Sequence, residues 1–323
     1  MDRTNLSTEA VMHSMHRVRR DVAAAALAVA GLWCGCAAAV DSAQPAAMGA
    51  ATRTGCGAAL PAGVVAGTTG ARTVVFDGSN RSYLLHVPAG YDKDRPTPLV
   101  LNFHGFMSNP ETQNAASGFA AMSDREGFIL ATPDGGIGWR FAQSARDANT
   151  AFVRELVANL RADLCVDPKR IYAAGKSQGG FMSSWLGCKA PDLFAAVATV
   201  SGIYEPPAGC APIPIIEFHG SADSTVPFGG GHILVLGNFP GAIAVMDEWA
   251  SVNGCGGAPQ IEQVTPHVRR ATYPDCKAAT IQYITDAGHT WPGSPVKEGD
   301  KTTPADLPAS QLIWEFFKAN PKP

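Results

Sequence analysis

Ile171-Tyr-Ala-Ala-Gly-Lys-Ser-Gln-Gly-Gly-Phe-Met182 decides the reading of this chain. It opens as a short apolar strand, turns sharply through Gly175, Ser177 and Gly179, and continues as a helix. A serine hydroxyl is a weak nucleophile at its ordinary pKa. It needs to be lifted clear of a sheet, next to a base and to backbone N–H donors. Small residues two before and two after the serine let the backbone bend without side chains colliding. The strand and helix flanks carry the argument, because a bare Gly-x-Ser-x-Gly arises easily in a chain with 34 glycines. Gly175-Lys176-Ser177 also imitates the end of a phosphate-binding loop, but that loop needs a glycine where Arg170 stands, so a nucleotide site is rejected.

Working outward, strands and helices alternate. Thr73 to Phe76 and Arg81 to Val87 flank Asp77-Gly-Ser-Asn80, a hairpin signal. Leu99 to His104 reads as a buried strand, Pro110 to Glu126 as one helix, Phe128 to Thr132 as a strand and Ala145 to Leu164 as an amphipathic helix. Further strands are read at Ala195 to Val200, Ile213 to Phe218 and Thr280 to Ile284, with helices at Gly241 to Asn253 and Ala305 to Lys318. This alternation implies a mostly parallel sheet covered on both faces, with ligands bound at the carboxyl ends of its strands.

A nucleophilic serine needs a base and an acid on that same edge. His289 follows the strand ending near Ile284, and Asp223 follows the strand ending near Phe218, in the order serine, acid, histidine. His289 would take the hydroxyl proton, and Asp223 would hold the imidazole tautomer. His232 is the rival base; Glu205 and Asp134 are the rival acids. Oxyanion donors are expected at the backbone N–H of Gln178, opening a helix, and of Phe106 in the loop after Phe103, with Met107 as the alternative to Phe106. Trp291, Trp139 and Phe228 are candidate substrate contacts, whereas Phe181 and Trp185, one helical turn apart, are expected to pack on the sheet.

The chain has 323 residues, 46% hydrophobic and 16% charged, with net charge −3. It offers no basic stretch for nucleic acid. Residues 1–40 read as a signal peptide: arginines at 17, 19 and 20 precede an apolar run from Val22, and Ala37-Ala38-Ala39 offers a cleavage site. An uncleaved anchor, or a lipoprotein using Cys34 or Cys36, is the alternative. Residues 41–70 read as a linker and 71–320 as the catalytic domain, with no membrane span in the mature protein. Cys56, Cys165, Cys188, Cys210, Cys255 and Cys276 form an even set for disulfides in an oxidising compartment. Of the 15 possible connectivities, Cys255 with Cys276 is the first guess and Cys188 with Cys210 the second. No Cys-x-x-Cys pair occurs, and neither metal nor cofactor is expected.

Four motifs in register, Asn102-Phe-His-Gly-Phe106, Leu164 through Met182, Phe218-His-Gly-Ser-Ala-Asp-Ser-Thr-Val-Pro227 and Gly288-His-Thr-Trp-Pro-Gly293, resemble the secreted polyhydroxybutyrate depolymerase and feruloyl esterase family. The resemblance implies a single-domain α/β-hydrolase fold, a Ser177–His289–Asp223 triad, and disulfides. Gln178 departs from the smaller or apolar residue frequent at that position. Only Gly202 to Pro212 separates two strands where a lid is often inserted, so the site reads as open. The resulting expectation is an esterase acting on a feruloyl ester of plant cell-wall polysaccharide. A 3-hydroxyalkanoate polyester, acetylated xylan, a peptide substrate or a non-catalytic binding role are the alternatives.

Overall fold

The computed structural model describes residues 54–323 apart from 140–141, 234–235 and 299–305. The expected leader and the first part of the expected linker lie outside them. The elements run β1 (Thr68–Phe76), β2 (Ser79–Val87), β3 (Thr97–Phe103), α1 (Pro110–Ser117), α2 (Phe119–Glu126), β4 (Ile129–Pro133), α3 (Gln143–Asp163), β5 (Val166–Lys176) and α4 (Gln178–Lys189). They continue as β6 (Ala196–Val200), β7 (Ile215–Gly220), β8 (Gly231–Ile233), β9 (Gly237–Phe239), α5 (Ala242–Val252), β10 (Gln260–Thr265), β11 (Val268–Thr272), β12 (Thr280–Thr285) and α6 (Ala309–Ala319).

Ten strands form one sheet in the order β1-β2-β4-β3-β5-β6-β7-β12-β11-β10, and β8 and β9 make a separate hairpin. The middle, from β4 to β12, is parallel; β1, β2, β11 and β10 extend it antiparallel at the two ends. Successive side chains of a strand point to opposite faces. Thus Ile171 and Ala173 pack with Phe152, Leu156 and Trp185 on one face, while Tyr172 and Ala174 pack with Phe119 and Phe317 on the other. Tyr172 stacks on Phe317 at 4.5 Å between ring centroids.

Two expectations change. The helix read from Pro110 to Glu126 is two helices, because Gly118 turns the chain at φ 63° between them. Asn109 caps the first by accepting from the Thr112 N–H at 2.8 Å. The linker expected through residue 70 also gives way over its described part. Gly55 N–H donates to the Arg161 carbonyl at 2.8 Å, and β1 already begins at Thr68.

Disulfides join Cys56 to Cys165, Cys188 to Cys210 and Cys255 to Cys276. The first closes a separation of 109 residues, against 22 and 21 for the others. Loop-closure entropy gives it the largest share, about 4 to 5 kcal/mol. Replacing both Cys56 and Cys165 by Ala is therefore expected to lower Tm by roughly 10 °C, more than removing either short-loop bridge, in a thermal melt read by circular dichroism.

Candidate active site

Ser177 stands between β5 and α4 with φ 57° and ψ −122°, a conformation that costs energy for a residue with a Cβ. The surrounding chain fixes it. Ser177 N–H donates to the Val200 carbonyl at 2.7 Å, and the Ser177 carbonyl accepts from Phe181 N–H at 3.0 Å. Close backbone approach leaves no room for side chains beside it: a Cβ on Gly179 would fall 2.0 Å from the Phe103 carbonyl oxygen, and one on Gly175 would fall 2.4 Å from that of Gly179. The glycines on either side of the serine are therefore steric requirements.

Asp223 and His289 come from the carboxyl ends of β7 and β12, which are adjacent parallel strands. His289 Nδ1 lies 2.7 Å from Asp223 Oδ2. The other carboxylate oxygen, Oδ1, accepts from the N–H groups of Thr225 at 2.8 Å and Val226 at 2.9 Å. Burial alone would raise the Asp223 pKa; the hydrogen bond and charge of His289, helped by Val226 N–H and His219, outweigh it and hold the carboxyl below its usual range. An ionised Asp223 accepts from Nδ1–H, which leaves Nε2 of His289 as the basic nitrogen. Ser177 and His289 bound one cavity of about 160 Å³, together with Gly105, Phe106, Lys176 and Glu298. A larger cavity, about 520 Å³, lies at the other edge of the sheet beside Ile213 and Ala279, just before β7 and β12.

The loop after β3 closes over the serine. A Cβ on Gly105 would sit 3.3 Å from Ser177 Cβ. Met107 N–H donates to the Ile137 carbonyl at 2.7 Å and is thereby withdrawn as an oxyanion donor. Phe106 N–H has no protein acceptor among the described residues. Gln178 N–H is the first of α4, where no preceding helical turn supplies a carbonyl. The Gln178 side chain does not form part of the wall around Ser177. It is buried, and its Oε1 accepts from Trp139 N–H at 2.7 Å.

Three aromatic expectations are corrected. Trp291 is fully buried, donates from Nε1 to Ser310 Oγ at 2.9 Å and meets Phe119 edge-on, so no surface remains for substrate. Trp139 is likewise buried, with Nε1 donating to the His104 carbonyl at 3.0 Å. An indole leaves water readily when its N–H has a partner, and both have one. Phe228 is half-buried, 5.8 Å from the His219 ring, and does not line the Ser177 cavity. The rival residues are placed elsewhere. His232 is exposed on β8, Glu205 is exposed with its charge acting on Glu248, and Asp134 accepts from Ser82 Oγ.

Two buried histidines support the loops without lining the cavity. His219 Nδ1 faces Glu217 Oε1 at 2.8 Å and Nε2 faces the Val226 carbonyl at 2.9 Å, both acceptors. Burial opposes its charge, but Glu217 prevails and the imidazole is pushed up. His104 Nδ1 donates to the Gly105 carbonyl at 2.8 Å, while Nε2 accepts from Gly135 N–H at 2.9 Å. This neutral tautomer ties together the loops after β3 and β4. Burial pushes the His104 pKa down, against smaller opposing effects of the Gly105 carbonyl and Asp134.

The sign of the His104 contribution follows. An unfolded histidine gains its proton near pH 6.5, above the folded value, so stability is lost as pH falls through about 6.5. His219 acts in the opposite sense, contributing fully below that value and less as pH rises. The Tm advantage of the wild type over His104→Gln is therefore expected to shrink between pH 7.5 and pH 5. A constant difference in melts across that range would contradict the assigned tautomer.

Comparison with known proteins gives the family and the fold. The family described as "Putative esterase" matches residues 77–252. Feruloyl esterase B of Piromyces equi is 32% identical over 74% of this chain and 45% of its own length, so the chain spans less than half of that relative. Feruloyl esterase C of Emericella nidulans is 28% identical over 75% of this chain and 85% of its own. Among solved structures, an acetyl xylan esterase from Aspergillus awamori superposes with TM-score 0.58 at 16% identity, covering 77% of this chain and 99% of that one. The fold is the α/β-hydrolase fold, and the chain belongs to the Esterase family.

Proposed function

We propose that the protein is a secreted serine carboxylic-ester hydrolase whose nucleophile is Ser177. The observation that carries this reading is the 2.7 Å contact of His289 with Asp223 beside Ser177 in a single cavity. In the first half-reaction Ser177 Oγ attacks the ester carbonyl carbon and passes its proton to His289 Nε2. The tetrahedral oxyanion takes hydrogen bonds from the N–H groups of Phe106 and Gln178. Its collapse breaks the bond to the alcohol oxygen, which leaves with the proton from His289. Water then attacks the acyl-enzyme with His289 again as base, and the carboxylic acid departs as Ser177 regains its proton.

A feruloyl ester of plant cell-wall polysaccharide is the substrate class supported best. Two relatives carry the name feruloyl esterase. Exposed apolar surface adjoins the site: Phe106, which lines the cavity, is 46% exposed, and Met107 at 79% and Ile137 at 73% follow on loops joined by the Met107–Ile137 hydrogen bond. An aromatic acyl group would bury this surface. Three disulfides support an oxidising compartment. No helix among the described residues is long and apolar enough to cross a membrane.

The test compares methyl ferulate, acetylated xylan and 3-hydroxybutyrate oligomers as substrates. Ferulate release is expected to have the highest kcat/KM, and Ser177→Ala is expected to lose roughly five orders of magnitude in kcat while retaining its melting transition. Preference for the acetyl or hydroxybutyryl ester would reassign the substrate. Wild-type turnover in Ser177→Ala would remove the mechanism.

A further inference from the structure

Lys176 immediately precedes Ser177, and Glu298 lies nine residues beyond His289. Their side chains form an ion pair, each only 14% exposed, in the wall of the Ser177 cavity. The same Glu298 carboxylate uses its second oxygen to accept from the backbone N–H of Trp291, two residues after His289. One carboxylate thus spans the residue before the nucleophile and the segment that bears the base.

We infer that Glu298 is a positioning residue that sets His289 against Ser177, a role resting on the esterase reading above. The segment from Gly288 to Trp291 is not part of β12, which ends at Thr285, so strand pairing does not fix it. Asp223 restrains His289 at the imidazole. The Trp291 ring is pinned farther out, through Ser310, whose Oγ donates to the Ser117 carbonyl. Neither contact reaches the serine. Glu298 supplies that link, because Lys176 is covalently joined to Ser177 at the end of β5, where its backbone pairs with Val200 of β6. In a partly buried wall the ion pair is less screened than on the open surface, and an uncompensated Lys176 charge would disfavour the closed arrangement.

The role predicts a specific kinetic signature. Both half-reactions use His289, so loosening it lowers kcat with little effect on the binding of the ester. Glu298→Ala is expected to lower kcat on 4-nitrophenyl acetate and methyl ferulate roughly 10- to 100-fold, because a shift near 1 Å at a catalytic group has that order of cost, with KM within about twofold. Glu298→Gln, whose amide oxygen still accepts from Trp291 N–H but whose NH2 group then faces the Lys176 ammonium, is expected to recover only part of the loss. Lys176→Met cuts the other end and is expected to lose kcat by about 3- to 10-fold. If Glu298→Ala lacks a cooperative melt, the Lys176→Met result decides.

A second readout is the rate at which a fluorophosphonate labels Ser177, expected to fall in parallel with kcat. Normal labelling and kcat in the folded variants would overturn the positioning role alone, and so would a loss confined to KM, which would make the pair a substrate-contact wall. A wild-type protein that neither hydrolyses these esters nor labels at Ser177 would overturn the esterase reading and this role with it.

Discussion

The turn at Ser177 constrains everything around it. A side-chain-bearing residue held at φ 57° persists only if its surroundings offer the backbone no relaxed alternative. Two strand ends and the segment after one of them provide that enclosure. β3 contributes the Phe103 carbonyl against Gly179, and β6 contributes the Val200 carbonyl to the serine N–H. The segment after β6 packs so closely that a Cβ on Gly202 would sit 2.3 Å from the Ser177 carbonyl oxygen. The central parallel strands thus support the elbow and also deliver the remaining site residues from their own ends.

Those residues are held largely through main-chain groups. Asp223 is fixed by two N–H donors of its own loop, and its approach to His219 is 3.6 Å. The Glu217–His219 pair is itself completed by Gln282, which donates to Glu217 Oε2 at 2.9 Å across β7 and β12. Because β7 and β12 run parallel and adjacent, this buried polar chain joins the strand carrying the acid to the strand carrying the base. Burying such a network without full pairing is costly, and its paired members bind the two strands in one register. Orientation of the acid is consequently a property of the sheet as much as of the loop.

The elements that could be read from sequence were those with a local cause. Strict apolar runs announced β3, β5 and β7, and the order of Ser177, Asp223 and His289 followed from their positions after strand ends. The interruption at Gly118 was hidden because both halves of Pro110–Glu126 have helical composition, and only the left-handed glycine separates them. The aromatic contacts were misjudged for a different reason. Proximity in sequence to His289 says nothing about which way Trp291 points, and Ser310, its partner, is 19 residues away. Lys176 and Glu298 were equally hidden, since a 122-residue separation leaves no local pattern.

These placements divide the labour within the site. Trp139 and Trp291, the residues with the largest aromatic surfaces near the motifs, are consumed in holding loops, and Gln178 spends its side chain on the Trp139 amide. Reactive geometry is therefore set by buried groups that have no free surface for an ester. On the proposed esterase reading, the apolar surface left for recognition is the exposed Phe106, Met107 and Ile137. Phe106 would belong to both tasks on that reading, because its N–H has no protein acceptor among the described residues while the residue is half exposed. A substitution there would change the apolar surface without removing the backbone N–H, so on the proposed reading this loop would tune substrate preference separately from the chemistry at Ser177.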